Sequence, residues 1–397
     1  LHRRRHSFPT RRSSDLNNPL AVVPIILNVK GFDLFHIDCR SKRYIPAEHA
    51  RAWQALGIDP PEPFAGATFF APQMRGADTA IPTGRIGHVA PYSWSLADII
   101  EGGLLSYLFA EADIDDANFG ALIRDIESYL THEQTGKDGA MERRLRCSSD
   151  NSIPQTFDEL KDWIQRQAQS DNRVLHGHHA ATWAKLWRRF LRLFLEGDGV
   201  LRRGGQRGCP LKLSSKDTCA PIIVDLNSLS MVPALQRFVV AAIFHQLIEQ
   251  RTGRNQVQGL RYLVALDELN RFAPRGAHDP ITELIERVAA EMRSQGIILL
   301  GAQQQASKVS DKVIENAGIR ALGRSGPLEL SQAVWRCLSE SERRNAAALG
   351  IDEKMILQDS FRAPMHVRVP FPPWAMRREE ANLAPTKTEL GPNDFSY

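Results

Sequence analysis

One apolar run that ends in two acids constrains this chain more than any other stretch. Residues 262–266, Tyr-Leu-Val-Ala-Leu, fit a buried parallel strand, and Asp267 and Glu268 follow them directly. A strand that delivers such a pair to the carboxyl edge of a sheet is the Walker B arrangement of nucleotide hydrolases. There the first acid holds Mg²⁺, directly or through water, and the second polarises the attacking water. An acidic exit turn without a catalytic role is the alternative.

Strand-like and helix-like patterns alternate near both ends of the chain. Apolar runs at 21–28, 221–226 and 297–302 read as buried strands, and the periodic segment 232–250 reads as a helix. This alternation predicts an α/β fold, in which helices cover both faces of a mostly parallel sheet. From residue 95 to about 195 the period is helical throughout, which predicts an all-α insertion.

These patterns divide the chain into five parts. Residues 17–93 form the first part of the α/β core, 94–217 the helical insertion, and 218–375 the second part of the core. Residues 376–397 are a polar tail. Residues 1–16 are an expected artefact, because 6–16 read as the translation of a common sequencing adapter.

The chain contains no G-x-x-x-x-G-K-[ST] loop, which normally cradles the phosphates that a Walker B strand serves. With residues 1–16 set aside, we expect the natural chain to enter partway, with its P-loop strand and helix missing. The fragment is then expected to be inactive, whereas the intact protein would be an ATPase.

Further polar residues follow other predicted strands. Gln303 and Gln304 come after the run at 297–302, where a side chain could contact both the γ-phosphate and the water. Asp225 ends a third strand and could contact a metal or cap a turn. Lys30, in the turn after the first strand, is a candidate nucleotide contact. Arg293 precedes the glutamine strand and could reach a neighbouring subunit's γ-phosphate, or could only complement a helix dipole.

Composition excludes some classes of protein. The formal charge of +4 resides in residues 1–16, and the remainder has 45 basic and 45 acidic residues. Overall charge therefore gives no argument for nucleic-acid binding. Five scattered cysteines favour reduced thiols in a cytoplasmic protein, and no apolar run approaches the roughly 20 residues of a membrane span. One basic amphipathic segment, 183–194, could face DNA or be a solvated helix face.

At this point the chain resembles the HerA-type ATPases of the HerA/FtsK group, closest to the bacterial "ATP-binding protein" branch. The resemblance covers most of residues 21–375 and depends on the order and spacing of several motifs. These are LNVKGFDLFHID (27–38), FFAP (69–72), PIIVDLNSL (221–229), LVALDELNRFAP (263–274), MRSQGIILLGAQQ (292–304), NAGIRALGR (316–324) and VPFPPWA (369–375). The chain departs from the family at Asn28, where HerA proteins often have Asp, and at Phe32, where related sequences often have Glu.

The resemblance implies a RecA-like P-loop NTPase core and a homo-hexameric ring that hydrolyses ATP with Mg²⁺ and translocates double-stranded DNA. It implies that Asp267 is the Mg²⁺ ligand, Glu268 the catalytic base and Gln303 the sensor. Arg293 would be the finger that acts on the next subunit. A nuclease is a further candidate partner, and no membrane is expected. Two alternatives stay open: a secretion or conjugation motor, and a nucleotide-binding scaffold that does not hydrolyse.

Overall fold

The computed structural model describes residues 21–109, 116–136, 139, 141–147, 152–205, 207–211, 213, 219–252 and 259–382. The expected artefact, residues 1–16, lies outside these ranges, as does most of the polar tail. Among the described residues, the strands form one six-stranded sheet, one three-stranded sheet and one two-stranded pair.

The six-stranded sheet is parallel throughout, with strand order β3-β2-β6-β1-β7-β8. Its strands, in chain order, are β1 (Ala21–Asn28), β2 (Thr68–Pro72), β3 (Ala90–Tyr92), β6 (Ile222–Asp225), β7 (Leu260–Leu266) and β8 (Ile297–Gly301). Parallel strands need crossover connections, which explains why helices separate most of them in the sequence. The fold class is the expected one.

The other strands form the two smaller sheets. The antiparallel pair is β4 (Thr131–Thr135) with β5 (Met141–Leu145), and the three-stranded sheet has the order β11-β10-β9. Its members are β9 (Arg320–Leu322), β10 (Glu353–Leu357) and β11 (Met365–Arg368).

Ten α-helices lie within the described ranges. In chain order they are α1 (Pro46–Gln54), α2 (Leu96–Glu101), α3 (Ala117–Leu130), α4 (Phe157–Gln169), α5 (Ala180–Glu196), α6 (Pro233–Thr252), α7 (Pro280–Glu291), α8 (Asp311–Glu315), α9 (Pro327–Leu330) and α10 (Glu340–Ala348). Short 3₁₀ turns join several of them.

The core lies on both faces of the central sheet. Alternate residues of β1, namely Val23, Ile25 and Leu27, belong to the main apolar cluster, whereas Ile26 packs with a smaller cluster around Phe35 on the opposite face. Helix α6 is buried along its middle, where residues 238–244 are each at most 5% exposed. Apolar residues on all sides of a helix are expected when the helix is enclosed in this way.

Two expectations about local structure were wrong. The insertion is not all-α, because β4 and β5 form an antiparallel hairpin directly after α3. The pattern of residues 328–349 predicts one helix, whereas the structure has α9, a 3₁₀ turn and α10 there. Ser339 begins α10 with a reciprocal capping box to Glu342, and this local pairing favours a new helix over continuation of the old one.

A partly buried ion pair connects the helices to the turn after β7. The Arg237 guanidinium on α6 donates to the Asp279 carboxylate and to the backbone carbonyl of Arg271. Asp279 is 2% exposed and also caps α7 by accepting from the backbone N–H groups of Ile281 and Thr282, at 2.9 and 3.2 Å. Arg237 therefore fixes the turn that carries Asp267 and Glu268 against two helices.

We expect Arg237→Ala to lower the free energy of unfolding by roughly 3 kcal/mol, because Asp279 would keep its charge in a buried position without its partner. The matched control is Arg344→Ala, which removes an exposed i,i+4 pair with Glu340 and should cost under about 1 kcal/mol. Urea denaturation of the three proteins measures both values. Equal losses for the two variants would contradict a structural role for Arg237.

Candidate functional site

Four neighbouring strands end side by side at one edge of the six-stranded sheet. Asn28 at the end of β1 lies opposite Asp225 at the end of β6. Leu27 lies opposite Leu266 of β7, which in turn lies opposite Gly301 of β8. The polar residues that end or follow these strands are therefore brought together, at the edge where open α/β sheets bind ligands.

Asp267 and Glu268 form a tight turn at this edge. The Asp267 Oδ1 accepts a hydrogen bond from the Glu268 backbone N–H at 2.9 Å. The Leu269 N–H donates to the carbonyl of Ala302 at 3.1 Å, and the Ala302 N–H donates to the carbonyl of Leu266 at 2.9 Å. These bonds hold the acidic turn against the segment that leads into Gln303.

Glu268 has a left-handed backbone conformation, with φ of 53°. Such a conformation is unfavourable for a residue with a side chain, and it recurs where a functional group must be presented in a fixed direction. The Glu268 side chain is only 12% exposed and forms an ion pair with the Lys30 ammonium. The Arg271 Nε lies at the limit of ion pairing, 4.0 Å from the Glu268 Oε2. The carboxylate is therefore held by cations on two sides.

Lys30 projects from a turn that is itself fixed by two asparagines. The Asn28 side-chain amide donates to the carbonyl of Gly31 at 2.7 Å, and the Gly31 N–H donates to the Asn227 Oδ1 at 2.9 Å. Asn28, which departs from the family pattern, therefore closes the turn through its amide group. Phe32, the other departure, packs edge-on against Phe35 with ring centroids 5.9 Å apart.

Sequence reasoning missed Asn227. It follows the β6 strand by two residues, and its role depends on β6 and β1 being neighbours in the sheet. The sequence shows that both strands are buried runs. It does not show that they are neighbours in the sheet. The position just beyond a strand end was the only available signal.

Asp225 caps the turn that follows β6. It is fully buried, and it accepts hydrogen bonds from the hydroxyl and backbone N–H of Ser228. Its backbone carbonyl accepts from the Tyr92 hydroxyl at 2.6 Å. Of the two roles expected for it, the structure supports the turn cap. Burial raises the pKa of Asp225 to about 6, against the opposing effect of the Ser228 hydrogen bonds.

The two glutamines after β8 differ. Gln303 is partly buried, and its Oε1 is a buried oxygen without a hydrogen-bond partner among the described residues. Gln304 is exposed. A buried amide oxygen without a donor or cation loses free energy relative to its hydrated state. Gln303 is therefore the better candidate for binding an external group.

Arg293 lies away from the acidic turn of its own chain. It is exposed and precedes β8, whereas Gln303 follows β8. Because β8 lies between them, the two residues are at opposite ends of this strand. They are on the order of 17 Å apart at the usual rise per residue. Arg293 is therefore not part of the acidic turn's site within this chain.

The acidic turn provides only some of the ligands that a Mg²⁺ ion needs. Within the described ranges, no group of three or more His, Cys, Asp or Glu side chains could hold a metal ion. Mg²⁺ characteristically takes one or two carboxylates and completes its shell with water and substrate phosphates. The side-chain oxygens of Asp267 and Gln303 could add to the ligands of an ion that is already bound to a nucleotide. They could not surround the ion without one.

At least two of the four basic residues of segment 183–194 pair with neighbouring acids. Lys185 pairs with Asp116 at 3.2 Å, and Arg192 pairs with Glu196 at 3.1 Å. On the other face of the helix, Trp183 is fully buried in the main apolar cluster. One face of this helix is therefore packed in the core. The structure does not distinguish between a DNA-facing and a solvated role for its basic face.

Comparisons with solved structures define the class of fold. The bacterial conjugative coupling protein TrwB is similar over 90% of this chain and 87% of its own, with 10% identity and a TM-score of 0.50. VirB4 of Thermoanaerobacter pseudethanolicus matches 91% of this chain and 84% of its own, with 14% identity and a TM-score of 0.49. The chain has a RecA-like α/β fold, as expected.

A smaller part of the chain resembles a viral protein. The genome packaging NTPase B204 from Sulfolobus turreted icosahedral virus 2 matches 39% of this chain and 69% of its own, with 12% identity and a TM-score of 0.27. No protein-family model matches the sequence, and no curated protein matches it. In the part of the chain that the structure describes, no helix has the length and apolarity of a membrane span.

We expect Asp225→Asn to stabilise the protein in a pH-dependent way. Because the pKa of Asp225 is raised from 3.8 to about 6, its stabilising contribution is complete below pH 3.8 and is lost as the pH rises through about 6. The variant should unfold with a free energy about 2–3 kcal/mol higher than wild type at pH 8, and with a much smaller difference near pH 4. Chemical denaturation at both pH values tests this, and a difference that does not change with pH would contradict it.

The left-handed conformation of Glu268 yields a separate prediction. Glu268→Gly and Glu268→Ala both remove the ion pair with Lys30, but only glycine adopts the left-handed region without strain. The glycine variant should therefore be more stable than the alanine variant by about 1 kcal/mol. Thermal or urea unfolding measures the difference, and a less stable glycine variant would contradict the strained turn.

Proposed function

We propose that this chain is the catalytic core of an ATP-hydrolysing ring motor that acts on double-stranded DNA. The observation that carries the proposal is the alignment of the β6, β1, β7 and β8 strand ends, which places the Asp267–Glu268 turn beside the segment leading to Gln303. An acid pair beside a polar side chain on the next strand is the arrangement that water activation at a γ-phosphate requires.

The residues have distinct roles in this proposal. Glu268 orients the attacking water and takes its proton, while Asp267 binds the Mg²⁺ that accompanies ATP. When bound, Mg²⁺ would neutralise charge on the phosphates and polarise the phosphoryl group. Gln303 contacts the γ-phosphate and the water through its side-chain amide, and Gln304 is a second nucleotide contact at the exposed rim.

In this proposal, Lys30 keeps Glu268 occupied until nucleotide binds. Its ammonium occupies the Glu268 carboxylate through an ion pair, and an occupied carboxylate is less free to accept a hydrogen bond from water. The phosphate groups of ATP would compete for Lys30, since they present more negative charge than one carboxylate. Lys30 therefore both binds nucleotide and releases Glu268 when nucleotide arrives.

A second copy of the chain supplies a further part. Arg293 reaches the site of an adjacent subunit in a homo-hexamer. The position of Arg293 before the amino end of β8, away from the acidic turn, supports this assignment. A nuclease that acts on the translocated DNA is a candidate partner.

A motor for conjugation or secretion is the second candidate function. TrwB, whose fold this chain shares over most of its length, is described as a bacterial conjugative coupling protein. The ATPase core would be the same, and the transported substrate would differ. Measuring ATP hydrolysis with double-stranded DNA, single-stranded DNA and no DNA separates the DNA-dependent motors from a nucleotide-binding scaffold, which would show no turnover.

We expect Glu268→Gln, introduced into the protein with its upstream sequence restored, to lower kcat for ATP hydrolysis by roughly 10²–10⁴-fold. ATP binding should persist, because the amide keeps the size of the side chain and removes a negative charge near the phosphates. Steady-state hydrolysis and binding of radiolabelled ATP measure the two effects. Glu291→Gln, an exposed change on α7, is the matched control and should leave both unchanged.

Two results would contradict the proposal. The first is an absence of ATP turnover by the restored wild-type protein. The second is measurable hydrolysis by residues 17–397 alone, since this part of the chain has no phosphate-binding loop.

A further inference from the structure

A segment from late in the chain lies across the loop that carries Lys30. We call residues 30–43 the Lys30 loop and residues 373–382 the strap. Arg377 of the strap follows Asp33 of the loop by 344 positions in the sequence, yet the Arg377 Nε lies 3.2 Å from the Asp33 Oδ1. The conformation of the loop therefore depends on a part of the chain that is distant from it in sequence.

Backbone hydrogen bonds join the strap to the loop at several points, with donor–acceptor distances of 2.8–3.0 Å. Both segments provide donors and acceptors, so each one satisfies backbone groups of the other. Detachment of the strap would leave these groups of the loop to water. The N–H of Leu34 donates to the carbonyl of Met376, that of Ser41 to Pro373, that of Lys42 to Glu380, that of Ala375 to Cys39 and that of Asn382 to Arg40.

Trp374 attaches the strap by apolar contact. Its ring centroid lies 4.7 Å from that of Phe64, and its side chain packs against the smaller apolar cluster around Phe35. Arg377 and Asp33 also join the strap to the loop, but their side chains are 66% and 45% exposed. An ion pair that water surrounds contributes little free energy, whereas a partly buried indole removes a large apolar area from water. Trp374 is therefore the main attachment.

Two features of the Lys30 loop are unfavourable by themselves. Leu34 has a left-handed backbone conformation, with φ of 75°, and its N–H is the one that donates to Met376. His36 is 2% exposed, and within the described ranges neither of its ring nitrogens has a hydrogen-bond partner. Strained backbone and buried polar atoms without partners persist only where surrounding contacts offset their cost. The strap provides contacts of this kind.

Arg85 holds a different part of the same loop. Its guanidinium donates to both carboxylate oxygens of Asp38, at 2.7 and 2.9 Å, and to the carbonyl of Phe35 at 2.6 Å. These contacts do not involve the strap. They leave residues 30–34 held by the asparagine contacts of Gly31 at one end and by the strap at the other.

We infer that the strap positions Lys30. With the strap docked, the loop holds the Lys30 ammonium against Glu268. With the strap detached, the loop relaxes and this ion pair opens. One consequence rests on the proposed function, in which Lys30 contacts the phosphates of ATP. The strap then controls the affinity of the site for nucleotide.

The first test measures hydrogen exchange in the full chain. Trp374→Ala removes the main attachment and should speed exchange at the Gly31 and Leu34 amides by roughly tenfold or more, whereas amides of the central sheet should keep their rates. Trp187→Ala removes another partly buried tryptophan, outside the strap, and is the matched control that should leave both amides protected. Circular dichroism verifies folding. Unchanged protection in folded Trp374→Ala, or an equal loss in Trp187→Ala, would overturn the inference.

A milder variant keeps the test decisive if Trp374→Ala folds poorly. Arg377→Asp places like charges opposite each other on two exposed side chains and should speed exchange at the Leu34 amide by roughly twofold to fivefold. The double variant Asp33→Lys, Arg377→Asp restores the pair with its charges exchanged, and the rate should return toward that of wild type. Equal rates in the single and double variants would contradict the inference.

Chemical labelling reports on Lys30 itself. An amine that leaves an ion pair has a lower pKa, so more of it is in the neutral form that reacts with acetic anhydride. Trp374→Ala should therefore raise the acetylation rate of Lys30 by roughly threefold or more. Lys312 pairs with Glu286 outside the strap and is the internal reference, which should react equally in both proteins. Mass spectrometry measures both rates. Faster exchange at Leu34 without faster labelling of Lys30 would overturn the positioning of Lys30.

Nucleotide binding separates this inference from the proposed function. In the protein that is assayed for ATP hydrolysis, Trp374→Ala and Lys30→Ala should each raise the Kd for fluorescent ATP by roughly tenfold. The double variant should bind no more weakly than Lys30→Ala, because both changes act on the same contact. An unchanged Kd in Trp374→Ala, together with faster labelling of Lys30, would uphold the strap and overturn its effect on nucleotide. A wild-type protein that binds no ATP would overturn the proposed function, while exchange and labelling would still decide the positioning of Lys30.

Discussion

The parallel register of four strands is the constraint on which the rest of the molecule depends. Each strand of the series β6-β1-β7-β8 ends within one residue of its neighbours. A shift of one residue in any pair would turn alternate side chains to the other face and displace the polar residues beyond the strand end. The buried aliphatic residues of β1 prevent such a shift. After it, the residues that now pack in the main apolar cluster would face the smaller cluster, and the reverse. Core packing thereby fixes where the carboxylates, amides and Lys30 lie.

Within that frame, the acidic turn combines conformational strain with charge pairing. The left-handed Glu268 is unfavourable on its own, and its ion pair with Lys30 offsets part of this cost. Arg237 holds the same turn from below through the carbonyl of Arg271. The turn is thus held by two cations from different elements, of which only Lys30 lies on the open side, where a ligand could compete for it.

Local patterns in the sequence predicted the parts of the fold that local chemistry decides. The run before Asp267 and the buried strand before Asp225 were both readable, because the apolar pattern of a strand extends over only a few positions. The hairpin after α3 was not, since the polar residues there fit either structure. The break before α10 did have a local signal in the sequence, the Ser339-x-x-Glu342 capping box. The contacts of Asn227 and Lys30 depend on strand order, which neighbouring residues in the sequence do not determine. The catalytic roles of Glu268, Gln303 and Arg293 stay predictions.

Helix α7 runs from the carboxyl ends of the sheet strands to their amino ends. Its first turn is fixed by Asp279 next to the acidic turn, and its last residues lead into Arg293 at the other edge. At 12 residues it is about 18 Å long. A tilt of about 5° about the capped end would move the far end by roughly 1.5 Å, enough to make or break a hydrogen bond. The length of the helix would therefore turn a small change at its capped end into a larger displacement of Arg293 at its other end.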